Sequence, residues 1–141
     1  MQMSERGREL IREHEGLRLT AYMCPARRWT IGYGHTGADV HEGQRISAAA
    51  AEALLEADLA RIEPAVAEAA GAATQGQYDA LVSFAYNVGP AALRRSTLIR
   101  KHRAGAHEAA AREFGRWVCA GRWRLSGLKR RRAAEAALYR S

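Results

Sequence analysis

Residues 15–36 read EGLRLTAYMCPARRWTIGYGHT, and this stretch decides the fold of the N-terminal part of the chain. Apolar and polar residues alternate along residues 17–22 and again along residues 29–34. A period of two indicates strands with one buried face, and the glycines of the second run allow tight turns. The stretch therefore predicts a small antiparallel sheet directly after Glu15.

Helical signals flank the predicted sheet on both sides. Ser4 is a candidate N-cap for a first helix that ends near Glu15, because Gly16 is a natural helix stop. Farther along, Thr74 and Gln77 have the spacing of a capping box. The apolar periodicity behind these signals predicts further helices over residues 47–62, 75–88, 96–102, 107–118 and 128–139.

Two details of the helical part carry expectations of their own. Pro64 is expected to end or kink the helix that begins near Ser47. The segment CAGRWRLSG, residues 119–127, reads as a loop that leads to the last helix, with Ser126 as its cap.

The order of these elements predicts an α+β fold. A small N-terminal antiparallel sheet is followed by a larger helical lobe, and residues 1–141 are expected to form one domain with a core of its own. We expect a cleft between the two unlike lobes, which would suit a long polymer.

The composition is that of a water-soluble globular protein, with 48% hydrophobic and 26% charged residues. No apolar run approaches the roughly 18 residues of a transmembrane helix. The charged start MQMSERGREL has no apolar core of a secretion signal. Both cysteines are therefore expected to be reduced thiols, and a Cys24–Cys119 bond is the alternative. No CxxC or HExxH pattern is present, so the sequence gives no support to a metal site.

The chain is strongly basic, with a formal net charge of +7 and a pI of about 10.1. Such a charge favours polyanionic partners: nucleic acid, anionic lipid or an anionic cell-wall polymer. No zinc-finger or RNA-recognition motif accompanies it, so we expect no specific nucleic acid. The alternative is that the basic residues only cover solvated helix faces. A membrane-active basic protein is a further hypothesis.

Four segments carry a family resemblance: EGLRLTAY, WTIGYGHT, QYDALVSFAYNVGPAALRRSTLIRKHRAG and GLKRRRAAEAALY. They resemble, in order, the phage-type lysozymes of the T4 and lambdoid phage-21 endolysin group, glycoside hydrolase family 24. The resemblance covers about residues 5–140. It implies a lysozyme-like fold and hydrolysis of the β-1,4 bond between N-acetylmuramic acid and N-acetylglucosamine in peptidoglycan, without a cofactor.

The resemblance also implies how such a protein is used. We expect a monomer made in the host cytoplasm that acts on the periplasmic cell wall, for host-cell lysis. Since no secretion signal is visible, release is expected to depend on a holin or a similar membrane lesion.

The family's catalytic pattern is Glu, eight residues, usually Asp, five residues, Thr; here it reads Glu15, Cys24, Thr30. The resemblance makes Glu15 the general acid, which must hold a proton for the leaving oxygen. The dipole at a helix C-terminus disfavours a charged carboxylate there, in line with that role. A surface glutamate in a salt bridge is the alternative.

Cys24 is where the chain departs from the family's usual pattern. A free thiol has a pKa of about 8.5, so only a few per cent is thiolate at pH 7. Four interpretations stay open: a thiolate base, a nucleophile forming a thioglycoside, a bystander, and a weakened enzyme that only binds peptidoglycan. Thr30 can orient the attacking water through its hydroxyl, or be an ordinary strand threonine.

Three further residues are candidates for contact with the substrate. His35 ends the strand-like run, and a hydrogen-bonding role in the fold is the alternative. Trp123 lies in the predicted loop and could stack on a sugar ring. Arg131, by similarity to the family's closing segment, is expected to approach Glu15 and pair with it; a solvated cation is the alternative.

Overall fold

A computed structural model of the protein describes residues 1–120 and 123–141. These residues form two compact units. The sheet unit is Ile11–Arg61, and the helical unit is Met1–Leu10 together with Ile62–Ser141. The α+β class with a small antiparallel sheet is confirmed. The cleft and the single domain stay predictions.

The sheet has three antiparallel strands in the order β1-β2-β3. They are β1 Arg18–Met23, β2 Trp29–Gly32 and β3 His35–Thr36, and helix α1, Glu5–Glu15, precedes them. The residue opposite Tyr22 is Thr30. Residues 44–46 pair with the outer edge of β1, where the Ile46 N–H donates to the Leu19 carbonyl at 2.9 Å, so this edge is not open to other strands.

The remaining elements are mainly helical. Helix α3 carries much of the core, since residues 77–85 are all buried, and the Phe84 and Phe114 rings meet edge to face at 5.6 Å. In chain order the elements are α2 Ala48–Ala70, α3 Gln75–Val88, α4 Pro90–Arg95, α5 Thr97–Arg103, α6 His107–Glu113, a 3-10 turn Phe114–Arg116, β4 Cys119–Ala120, β5 Trp123–Arg124 and α7 Ser126–Arg140.

The capping box predicted at the start of α3 is confirmed. Thr74 Oγ1 accepts from the Gln77 N–H at 3.2 Å, and Gln77 Oε1 accepts from the Thr74 N–H at 3.0 Å. Each side chain thus satisfies a backbone donor that the helix itself leaves unpaired.

The predicted end of the second helix at residue 62 is wrong. Helix α2 continues through Pro64 to Ala70 and ends where Gly71 has φ +65°. The reason is that Val66 and Ala70 are buried, so packing offsets the hydrogen bond that proline lacks. The glycine then supplies the left-handed residue of the helix end.

Two predictions near the C-terminus also need correction. The helix expected to reach residue 118 ends at Glu113 and becomes a 3-10 turn containing Gly115, a poor helix former. The loop predicted over residues 119–127 holds the short pair β4–β5. Ser126 is the first residue of α7 rather than its cap, which is Leu125, and this cap makes no side-chain bond.

A buried ionic cluster ties α7 to α3. Glu135, at 0% exposure, accepts from Arg131 Nε at 3.3 Å, from Arg132 Nη1 and from Ser83 Oγ at 2.5 Å. Arg132 Nε also donates to the Trp117 carbonyl at 3.1 Å. A carboxylate that balances two buried guanidiniums is costly to remove, because the charges left behind have no compensation.

None of the helices within the described residues combines the length and the apolar character needed to cross a membrane.

We expect Glu135→Gln to lower the free energy of unfolding by about 3 kcal/mol, because two buried arginines lose their counter-charge. Urea unfolding at pH 7 measures the change. Glu108→Gln is the matched control: Glu108 also pairs with an arginine, Arg140, but on the surface, so it should leave the unfolding curve nearly unchanged. Equal effects of the two substitutions would contradict the prediction.

Candidate active site

Glu15 is the last residue of α1, as the sequence predicts. The helix ends there because Gly16 adopts φ +74° and its N–H donates to the Arg12 carbonyl at 2.9 Å. The Glu15 side chain is half-buried. The carboxylate is thus positioned at the C-terminal end of α1.

The turn between β2 and β3 lies directly against this carboxylate. Gly34 has φ +79°, and a Cβ built there would collide with Glu15 Oε1 and lie 2.9 Å from Glu15 Cδ. Glycine is favoured at this left-handed φ, and any larger residue would also require the Glu15 carboxylate to move. The sequence indicated a structural glycine at this position but not that it borders Glu15.

Cys24 opens the five-residue connection between β1 and β2. Its N–H donates to the Arg28 carbonyl at 3.0 Å, and its carbonyl accepts from the Arg27 N–H at 2.8 Å. Arg27 takes a left-handed conformation, φ +59°, to close the turn. The turn fixes the half-buried Cys24 side chain at the end of the hairpin.

The Cys24 thiol is more acidic than an ordinary one. Burial raises its pKa, but hydrogen bonds from the Arg28 N–H, the Thr30 hydroxyl and the Ala26 N–H outweigh burial, so the pKa of Cys24 lies below its usual value. The Thr30 hydroxyl also donates to the Arg28 carbonyl at 3.0 Å. One proton serves one acceptor at a time, so formation of the thiolate draws this hydroxyl towards sulfur.

Tyr22 links the three residues of the predicted pattern. It stands opposite Thr30, which is 3% exposed, in the β1–β2 ladder. Burial raises the pKa of Tyr22, and the charges of Glu15 and Cys24 act in the same direction, whereas Arg18, 4.4 Å above the ring, opposes them. Tyr22 therefore lies near enough to Glu15 and Cys24 for both charges to raise its pKa.

Sequence reasoning missed Tyr22. The signal was available, since residues 22 and 24 are two apart in an extended segment and so point to the same face.

His35 belongs to a separate buried ion-pair network of the sheet unit. It is 8% exposed, its Nδ1 lies 2.8 Å from Asp58 Oδ2, and its Nε2 lies 3.0 Å from Asp39 Oδ2; Arg61 binds the other Asp58 oxygen. Burial lowers the pKa of His35, but the two carboxylates outweigh it, so the pKa is raised. The network supports the role of His35 in the fold, and its two aspartates carried no signal in the sequence.

The two remaining candidates lie in the helical unit. Trp123 belongs to β5, but its side chain falls outside the part of the structure that is described. Arg131 is buried in α7, where it binds Glu135 and donates to the Ser83 carbonyl at 3.2 Å. Its pairing with Glu15 stays a prediction.

Both cysteines are free thiols. Across residues 1–120 and 123–141, no group of three or more His, Cys, Asp or Glu side chains is arranged to hold a metal ion.

Known proteins share this fold and sequence. The sequence profile described as "Phage lysozyme" matches residues 12–135. The endolysin of Acyrthosiphon pisum secondary endosymbiont phage 1 is 42% identical over all of this chain and 99% of its own length, and the endolysin of Bacillus phage PZA is 45% identical over all of this chain but 56% of its own length. The muramidase domain of SpmX from Asticaccaulis excentricus has a TM-score of 0.92 and 41% identity, over 99% of this chain and 98% of that domain.

These matches and the site define a glycoside hydrolase of the lysozyme class. The chain belongs to the phage lysozyme family.

The His35 network should make stability depend on pH. The raised pKa of His35 means that its charge stabilises the fold fully below the unfolded value of about 6.5, and that this contribution is lost as the pH rises through the folded value. The hydrogen bond from His35 lowers the pKa of Asp39, so the contribution of Asp39 is present above about pH 3.9 and is lost as the pH falls through the lowered value.

His35→Gln should therefore cost about 1–3 kcal/mol of unfolding free energy near pH 5.5, and less at pH 9. Urea unfolding at the two pH values measures both costs. The exposed His41, in the same unit, provides the control, because His41→Gln should show no such difference. A cost for His35→Gln that grows towards pH 9 would refute the assignment.

Proposed function

We propose that the protein is an endolysin that hydrolyses the β-1,4 bond between N-acetylmuramic acid and N-acetylglucosamine in peptidoglycan, with Glu15 as general acid. One observation carries the proposal. In a chain of the phage lysozyme family, Glu15 ends α1 with its carboxylate against the Gly34 turn, and the adjoining strand β2 carries Thr30 opposite Tyr22. These positions support the family's catalytic pattern, with Cys24 in place of the usual aspartate.

Glu15 supplies the proton in this proposal. Cleavage passes through an oxocarbenium-like state and needs a proton on the leaving oxygen. The side chain is held between the end of α1 and Gly34, so it stays in place as the bond breaks. After transfer, Glu15 is a carboxylate and the leaving sugar carries the hydroxyl.

Cys24 and Thr30 position and activate the attacking water in this proposal. The Thr30 hydroxyl positions the water through a hydrogen bond. The Cys24 thiolate takes one proton from the water as the water oxygen attacks the anomeric carbon. The lowered pKa of Cys24 favours this use, because it raises the thiolate fraction at neutral pH. Direct attack by the thiolate, giving a thioglycoside that water later cleaves, is the second route.

A second candidate function is peptidoglycan binding without cleavage. The observation behind it is the cysteine itself, because a thiol at the position of the usual aspartate weakens water activation on chemical grounds. The hydrogen bonds that stabilise the thiolate favour the enzyme over the inert scaffold.

We further propose that the protein is a monomer made in the host cytoplasm and released to the periplasmic wall by a holin-type membrane lesion. The support for this is the family to which the chain belongs.

We expect Glu15→Gln to abolish clearing of purified, outer-membrane-free sacculi, because a side-chain amide cannot act as an acid towards the leaving oxygen. Turbidity loss and the new reducing ends of released fragments measure the reaction, and fragment masses identify the bond. Glu13→Gln is the matched control: this exposed glutamate of α1 should be replaceable without effect. Sacculus binding without clearing by the wild-type protein would favour the scaffold instead.

Substitution of Cys24 separates its roles. If the thiolate is the base, Cys24→Ser should lose most activity and Cys24→Asp should keep it, because only the latter offers an anionic oxygen at neutral pH. The rate of the wild-type enzyme should rise with pH through the Cys24 pKa, and that rise should be absent in Cys24→Asp. Equal rates for the wild-type protein and Cys24→Ser would exclude an essential thiolate.

A further inference from the structure

The helical unit contains a cavity of about 540 Å³ that is built from residues outside the catalytic cluster. It lies at the end of α2, the start of α3 and the turn between α5 and α6. Its lining consists of Ala70, Gly71, Ala72, Ala73, Thr74, Gln77, His102, Arg103, Gly105 and His107. This volume falls in the range of small-molecule sites.

One wall of the cavity is fixed by a neutral histidine. His102 is 2% exposed; its Nε2 lies 3.0 Å from the Ala72 carbonyl, and its Nδ1 lies 2.6 Å from the Tyr139 hydroxyl. A carbonyl only accepts, so Nε2 carries the proton and Nδ1 accepts from Tyr139. Burial lowers the pKa of His102, in keeping with this uncharged form. His102 therefore serves as a wall and is not the cation of the site.

Arg103 is the fixed cation of the cavity. Its Nη1 donates to the Ala69 carbonyl at 2.9 Å and to the Glu68 carbonyl at 3.4 Å, which holds the guanidinium at the end of α2. Among the described residues, these two hydrogen bonds use only Nη1 of the three guanidinium nitrogens of Arg103. The remaining N–H groups can address an acceptor pair such as a carboxylate.

Two uncharged donors lie on the same lining. The Thr74 hydroxyl accepts from a backbone N–H and keeps its own proton to donate. Gln77 is 7% exposed and uses Oε1 in the capping box, while its Nε2 has no partner in the part of the chain that the structure describes. This donor is open to the cavity, so it can meet an acceptor that enters there.

The charges of the surroundings also favour an anion. The lining contains no acidic side chain. The helical unit as a whole has 16 Lys and Arg against 8 Asp and Glu, whereas the sheet unit has 6 against 7, so the net charge of the chain resides in the unit that holds the cavity.

We propose that this cavity binds the carboxylate of a peptide that ends in alanine-sized residues. Arg103 takes the two carboxylate oxygens, Thr74 and Gln77 donate to the peptide, and three alanines offer contact to its methyl groups. The choice of a D-alanyl peptide from the cell wall as the occupant rests on the proposed function, because such peptides are attached to the glycan that this enzyme is proposed to cut.

Binding is tested on the full chain by NMR titration with N-acetyl-D-alanyl-D-alanine. We expect saturable shifts at the amides of Ala72, Thr74, Gln77 and His107. The methyl ester of the same dipeptide should bind about ten-fold more weakly, which is the effect of losing a charge-assisted hydrogen bond. Inorganic phosphate should bind more weakly than the dipeptide.

Two variants locate the site. Arg103→Gln should raise the Kd about ten-fold, and Arg112→Gln, an exposed arginine of α6 outside the lining, should not change it. The ester comparison stands even if Arg103→Gln is poorly folded, because it uses the wild-type protein. Absence of saturable shifts, equal binding of acid and ester, or equal binding of phosphate would overturn the proposal.

This measurement involves no cleavage, so it separates failure of the inference from failure of the proposed function. If the sacculi clear but the dipeptide does not bind, only the proposed peptide site is refuted. If the dipeptide binds but the sacculi do not clear, only the proposed hydrolase activity is refuted.

Discussion

In the sheet unit, the Glu15 carboxylate lies where a side chain at position 34 would begin, so the end of α1 and the β2–β3 turn constrain each other. A helix end and a tight turn must both be in place for these two groups to meet, and a side chain at position 34 would require the carboxylate to shift. The contact makes one glycine and one glutamate interdependent, although 18 residues separate them in the chain. The same turn leads into β3 and so to His35, whose ion pairs attach the sheet to α2 through Asp58.

The two ionic networks of the protein differ in the charges they contain. The cluster around Glu135 joins one carboxylate to two arginines that stay charged at any ordinary pH. The cluster around His35 contains a group whose charge varies in the physiological range. The sheet unit, which carries the candidate catalytic residues, is thus held partly by a histidine whose charge depends on pH.

Much of the architecture could be predicted from the sequence, because it follows from local rules. The alternation after Glu15, the glycine stops and the capping box at Thr74 and Gln77 each act within a few residues, and each was recovered. The errors arose where tertiary packing outweighs local preference. Helix α2 passes Pro64 because of side chains buried beyond it, which the proline rule does not consider.

The site shows the same division between local and tertiary effects. Spacing and resemblance singled out Glu15, Cys24 and Thr30, and the two-residue spacing of Tyr22 and Cys24 could have added Tyr22. The aspartates that face His35 are recognised only once the chain is folded. The lowered pKa of Cys24 comes from the Thr30 hydroxyl and from backbone N–H groups that the turn directs at sulfur, and the spacing of the pattern does not show these donors.

The two units differ in charge as well as in structure. The helical unit has an excess of eight positive charges, whereas the sheet unit has one more acidic than basic residue. A polyanionic surface therefore attracts the helical unit and offers the sheet unit no such attraction. Dissolved salt shortens the reach of that attraction to about 8 Å at physiological ionic strength.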